Sequence, residues 1–333
     1  MENVNERLSE NEMAIQTKLN QKAKVKSIVN AVLPFAGLFF IFLFFVLITK
    51  GQIIHPSNIE NLINQCVSLI IICVGAAFVY AHGGMDFSLG AAAGVAQLVG
   101  ATFITKTGLP LWGSFLAVVL TAVVCSSIVG SASILFKVPV FITSLCVRTI
   151  CMGILATVVA NSEIVLPYSQ FQFINNATVK AIVLIITIAI GTYLFEYTRI
   201  GKYEKSIGGN IFTSSQAGIR TNQTKFLAYI FLGVCVGIAA IFMMLRTSQI
   251  TSQSGSGMEF NAMIAIVLGG FPMTGGDASK MSSVIIGAIT ITLLTNGLII
   301  WGLDVNVVNG IKGILFLIIV GLSYDRSKGK LIS

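Results

Sequence analysis

The sequence predicts an all-α polytopic membrane protein of about ten (eight to ten) spanning helices, arranged as two related halves. Three observations predict it. Of 333 residues, 55% are hydrophobic and only 10% charged, and mean hydropathy is +0.89; soluble domains carry roughly 25% charged residues. Apolar stretches of about 20 residues recur along the chain, the length that crosses ~30 Å of hydrocarbon. Two glycine-rich interruptions separate such stretches, one early and one late, and paired breaks in two halves point to a transport path.

The elements follow in order. Residues 1–27 read as a cytoplasmic lead: Glu2, Glu6, Glu10 and Glu12 come first, then Lys18, Lys22, Lys24 and Lys26 beside the first apolar run. That run is long enough to span, and no small-residue cleavage site follows it, so it does not read as a cleavable signal. Spans are expected at about 28–48, 60–80, 88–105, 111–131, 138–160, 177–197, 226–246, 260–271, 282–300 and 308–323. The segment 260–271 is too short to cross alone and reads as half of a broken helix. Residues 28–323 thus form the transmembrane domain, and 324–333 a second cytoplasmic tail.

Charge placement sets the orientation. Basic residues gather in the lead, in the 199–225 loop (Arg199, Lys202, Lys205, Arg220, Lys225) and in the tail (Arg326, Lys328, Lys330). Clusters flanking apolar segments mark cytoplasmic loops, so both termini are expected in the cytoplasm. Lys50, Lys106 and Arg246, at outer ends, are mild violations of that rule. A net charge of +8 invites a nucleic-acid reading, but no basic face interleaved with aromatics is present. Six cysteines lie in apolar runs without a C-x-x-C pair, and there are two histidines, so neither a disulfide framework nor a metal site is expected.

The interruptions read Tyr80-Ala81-His82-Gly83-Gly84-Met85-Asp86-Phe87-Ser88-Leu89-Gly90 and Leu268-Gly269-Gly270-Phe271-Pro272-Met273-Thr274-Gly275-Gly276. Backbone leaves the helix at membrane depth only where protein or a wet cavity satisfies it. Gly83, Gly84, Gly269 and Gly270 are therefore candidates for the solute path. Asp86 either caps the segment opening at Ser88 or touches solute. Arg148 lies ten residues past Val138, near mid-membrane, where it faces a pore, pairs with an acid or snorkels. Asn296 is either packing glue or pore lining. His82 reads as a hydrogen-bonded packing residue, and Gly233, Gly237 and Gly287 as helix contacts.

The inner loop, read on its own as either a plain solvated connection or a docking element, carries a second candidate set: Glu204, Ser206, Gly208, Gly209, Asn210, Ala217 and Gly218. Glycine-rich turns at 208–209 and 218 flank a stretch suited to a two-turn helix, which Thr213 or Ser214 would cap. Small residues there admit a partner's close approach.

Gly83-Gly84-Met85-Asp86-Phe87-Ser88-Leu89-Gly90, Ser206-Ile207-Gly208-Gly209-Asn210 with Ala217-Gly218-Ile219, and Ile266-Val267-Leu268-Gly269-Gly270 with Gly275-Gly276 come in that order. The chain resembles the ribose-type ABC importer permeases of the branched-chain amino acid and monosaccharide permease family, from about residue 30 to 322. The resemblance implies a permease subunit in a bacterial inner membrane, paired with a second permease copy. It implies an ATP-binding subunit docked on the 204–219 loop and an extracytoplasmic binding protein that delivers a sugar. The chain departs from that family at Phe87, at Phe271-Pro272, at Asp277-Ala278-Ser279-Lys280 and at Met152, where the family often carries an Arg.

No cofactor is expected on this chain. A phosphate-cradling loop needs G-x-x-x-x-G-K-[ST], and Gly270 to Gly276 has no Lys after its second Gly. ATP is therefore expected on a partner. Other readings are nucleoside or another small polar solute for the same architecture, or an ion-coupled secondary transporter working through Asp86 and Arg148. An intramembrane enzyme lacks a paired catalytic set.

Overall fold

The computed structural model describes residues 35–107, 110–161, 164–166 and 174–323. The 1–27 lead, the 324–333 tail and Glu163 fall outside the described residues. Helix α1 (Phe35–Ile48) leads into α2 (Pro56–Ala81), α3 (Leu89–Thr102), α4 (Leu111–Phe136) and α5 (Val140–Asn161). Strand β1 (Ile164–Val165) precedes α6 (Ala177–Thr192), and two short helices follow, α7 (Arg199–Gly209) and α8 (Ile211–Gln216). Then come α9 (Thr221–Thr247), β2 (Gln249–Ile250), α10 (Met258–Leu268), α11 (Met281–Ile300) and α12 (Val305–Ser323).

Every expected apolar segment is helical where it is described. Among the described residues, seven helices are long and apolar enough to cross a membrane: α2, α4, α5, α9 and α11, with α3 and α6 counted through the π turns that extend them. Helices α1, α10 and α12 are apolar but shorter. The chain is a helical, multi-pass membrane protein.

Helix α2 is the centre of the bundle. From Cys66 to Ala81 every residue is buried, as expected of a helix that is apolar all round. Helix α9 packs along α2 and α4, and its Gly233 and Gly237 sit against the α4 backbone at Val123 and Val119. Small residues there let the helix axes close up. On the outside, Trp112, Leu116, Leu120, Val124 and Ile128 form an exposed i, i+4 stripe along α4, the face a hydrocarbon solvent accepts.

The 27 residues of α9 rise ~40 Å, from α8 to the strands, and so define two ends of the bundle. One end holds α7 and α8. The other holds an antiparallel ribbon with Ile164 opposite Ile250 and Val165 opposite Gln249. This ribbon departs from the expected all-α fold. Its cause is burial: Ile164 and Ile250 turn inward while Val165 and Gln249 face out, the period-two pattern of a strand.

A second correction concerns α8. It spans six residues, and its cap is Asn210 rather than Thr213 or Ser214: Asn210 Oδ1 accepts the N–H of Phe212 at 2.9 Å and of Thr213 at 3.1 Å. An amide oxygen before the first turn reaches both orphan donors.

Candidate functional site

Both glycine pairs end a helix by one device. Gly83 has φ +83°, its N–H donates to Tyr80 O, and the N–H of Gly84 donates to Val79 O. Gly270 has φ +85°, its N–H donates to Val267 O, and the N–H of Phe271 donates to Ile266 O. These are Schellman ends, which need a left-handed residue where side chains are strained and glycine is not.

The first end meets the inner loop and the second glycine segment at one atom. The Ala81 carbonyl accepts the N–H of Gly276 at 2.9 Å. A Cβ on Gly208 would collide with that same carbonyl and with the Gly276 nitrogen, and one on Gly275 would strike Ala81 as well. One turn before Gly208 on α7, Glu204 Oε2 lies 2.6 Å from His82 Nδ1, with both side chains buried. Beside this joint, Glu196 at the end of α6 holds Lys205 Nζ at 2.5 Å and accepts the N–H of Met281, which opens α11, at 2.9 Å. The ends of α2 and α6 and the start of α11 are thus tied to α7.

The outward side of the loop is open. Ser206 shares a 2.8 Å hydroxyl contact with Ser214, which fixes α7 to α8. Gly209, Asn210, Ala217 and Gly218 are exposed, and Phe212 on α8 is 80% exposed. A cavity of about 800 Å³ lies alongside, lined by Gly83, Gly84, Met85, Lys137, Phe212, Lys225 and Tyr229.

Asp86 is buried, and its Oδ1 accepts both the N–H and the O–H of Ser88 at 2.7 Å. The carboxylate thus holds the chain at the entry to α3, and the Phe87 N–H donates to Ser144 on α5 at 3.1 Å. Asn296 is also buried and exchanges two 3.0 Å hydrogen bonds with Asn58, joining α11 to α2.

Arg148 stands apart from these groups. It is the ninth of 22 residues in α5, about 12 Å along the helix from Val140. Its Nε and one terminal nitrogen each lie 3.1 Å from Glu259 Oε1, in the first turn of α10. Lys312, eighth of 19 residues in α12, donates to Asn261 Oδ1 at 3.0 Å. Arg148, Glu259 and Lys312 line one cavity of about 410 Å³ together with Phe260, Asn309 and Phe316.

The candidate path residues therefore occupy three places. Gly83, Gly84, Gly269 and Gly270 lie in the segments at the α7 end, with Asp86 and Ser88 at the entry to α3. Arg148 lies near the middle of α5, and Asn296 lies in the α2–α11 interface. Glu259, Lys312 and the His82–Glu204 contact were not anticipated. A signal existed for the first two: each is an ionisable residue in or beside an apolar segment, where such groups are costly and seldom idle.

No solved structure matches the chain. Among curated proteins, it is 28% identical over 305 residues to the ribose import permease protein of Bacillus subtilis, covering 89% of this chain and 92% of that one. It is 28% identical over 267 residues to the ribose import permease protein of Haemophilus influenzae, covering 76% and 82%. It is 22% identical over 273 residues to the galactofuranose transporter permease protein of Escherichia coli, covering 80% and 79%. The sequence model for the branched-chain amino acid transport system / permease component matches residues 58–320. Running from α2 almost to the end of α12, that match places the chain in the branched-chain amino acid transport system / permease component family.

Proposed function

We propose that this chain is the membrane-spanning permease subunit of an ATP-driven importer that moves a small sugar inward by alternating access. The supporting observation is the joint at Ala81. The inner loop, both glycine segments and the end of α2 meet there, and the end of α6 and the start of α11 join the same loop through Glu196, which holds Lys205 and accepts from Met281. Force applied to α7 and α8 reaches the helix ends on either side of the path without crossing a gap. A chain with no phosphate-cradling loop needs such an element to receive work from elsewhere.

In this reading the ten apolar helices cross or enter the membrane as ten segments, with α10 a half-length one. Both termini and α7–α8 face the cytoplasm of a bacterial inner membrane. An ABC ATP-binding subunit holds the ATP and docks on the exposed face of Gly209, Asn210, Phe212, Ala217 and Gly218. A second permease copy completes the pore, and an extracytoplasmic binding protein delivers the sugar. The relatives named for ribose and galactofuranose support a monosaccharide as the solute.

The test is co-purification in mild detergent, wild type against Phe212→Asp. Phe212 packs against little within the chain, so the variant is expected to keep its unfolding temperature and lose the ATPase. The reading fails if wild type purifies alone and carries sugar into liposomes without ATP.

A further inference from the structure

We infer that the 410 Å³ cavity between α5, α10 and α12 is a sugar-binding subsite of the transport path, with Lys312, Arg148 and Asn309 as its hydroxyl-binding groups and Glu259 holding Arg148 in position. The inference rests on the sugar-importer reading and adds the residues that meet the solute.

Three observations carry it. First, the charges are only partly used. Glu259 is 1% exposed, Arg148 occupies its Oε1, and its Oε2 has no hydrogen-bond partner among the described residues. Lys312 is also buried, and one described acceptor, Asn261, serves an ammonium with three donors. A buried charged group with unmet bonding capacity is costly; Glu259 Oε2 lies against Gly90 of α3 and is closed off, whereas Lys312 and the Arg148 that Glu259 holds border the void.

Second, the void suits a sugar. At about 410 Å³ it falls within the range of small-molecule pockets, roughly 300–1,000 Å³. Phe260 and Phe316 supply apolar walls for the C–H face of a sugar ring, and Asn309 adds an amide that both donates and accepts. Hydroxyls donate and accept as well, so a polyol accepts from Lys312 and Arg148 and exchanges bonds with Asn309 at once. A cation would meet two positive groups against one carboxylate. A purely apolar molecule would leave the spare Lys312 donors unmet.

Third, the position is that of a path. Arg148 and Lys312 lie near the middle of their helices, and Glu259 opens a helix of 11 residues that reaches only ~16 Å. The chain between β2 and α10 therefore enters the bundle to this depth. Indeed Gly90 and Gly94 near the start of α3 have no room for a Cβ against Gly255 and Ser254.

The test uses the complete importer in proteoliposomes: permease, ATPase and binding protein. In a Cys146→Ser background, which removes the exposed native thiol, Asn309→Cys places a reporter on the cavity wall. Its alkylation by a small maleimide is followed with D-ribose, D-fructose or D-galactose, and with glycine betaine at equal osmolarity. At least one sugar is expected to slow alkylation severalfold, and betaine is not. In parallel, Glu259→Gln and Lys312→Gln are expected to lower sugar moved per ATP hydrolysed by about tenfold, as loss of one charged hydrogen bond implies. A purely structural role lowers uptake and hydrolysis together and leaves that ratio intact. The subsite is overturned if no sugar protects the reporter thiol and both ratios stay at the wild-type value while wild type imports sugar. If wild type imports none of the three, the sugar-importer reading fails and the subsite with it.

Discussion

Two carboxylates in this protein, Glu204 and Glu259, have wholly buried side chains, and each meets a basic side chain more than a hundred residues away in sequence. Their surroundings differ. Around Glu204 the backbones of α2, α7 and the second glycine segment touch so closely that Gly208 has no space for a methyl group. Glu259 also lies against a glycine, Gly90, but the Arg148 it holds and the neighbouring Lys312 border a void large enough for a solute. Packed backbone moves as one body, whereas groups bordering a gap lose their contacts across it. Similar chemistry thus serves two ends: a joint that passes displacement and a site that waits for a partner.

The largest effect is expected from splitting the His82–Glu204 pair. His82→Leu leaves the Glu204 carboxylate buried with no basic partner, which costs about 3–5 kcal/mol when such a pair is broken on one side. The unfolding temperature in detergent should fall sharply, and the ATPase should no longer co-purify. Replacing both partners, His82→Leu with Glu204→Leu, should restore much of the loss, since an apolar pair leaves nothing unpaired. A double variant as unstable as the sum of the singles would show that the contact carries no coupling.

Next comes close packing itself. Gly208→Val drives a side chain into the Ala81 carbonyl and the Gly276 nitrogen, overpacking worth about 1–3 kcal/mol. Gly209→Val, one residue on, meets open space and should be nearly silent in thermal unfolding. Equal destabilisation by both variants would remove the joint from the explanation, since valine is the better helix former at both positions.

These contrasts mark what the sequence could express. The apolar helices were legible because the bilayer demands length and hydropathy, and both are local properties of a stretch such as 282–300. The ends at Gly83 and Gly270 were legible because a left-handed residue shows itself as glycine. The inner loop was legible as a motif, but its cap was not: Asn210, Thr213 and Ser214 are all good caps, and only the backbone path selects Asn210. Pairings across the fold were not legible at all. Nothing near Arg148 announces Glu259, and His82 gives no sign of Glu204, because these contacts arise only when α7 and α10 dock. The strands at 164–165 and 249–250 were invisible for the same reason: two residues hold no periodicity, and Ile164 is buried only once Ile250 lies opposite.

The smallest effect belongs to a third polar pair, which is neither charged nor beside a void. Asn58 and Asn296 satisfy each other with two hydrogen bonds between α2 and α11, and Asn58 also donates to Ile53 O at 2.7 Å. Interhelical bonds of this kind contribute about 0.6 kcal/mol on average in membrane proteins, because the separated helices find other partners. Asn296→Leu should therefore lower the unfolding temperature by only a few degrees. If the pair is packing glue, sugar moved per ATP stays at the wild-type ratio, in contrast to Glu259→Gln. A fall in that ratio without a fall in stability would return Asn296 to the solute path and extend the path from the Glu259 cavity to the α2–α11 interface. The measurement thus separates polar groups that hold helices together from those that meet what passes between them.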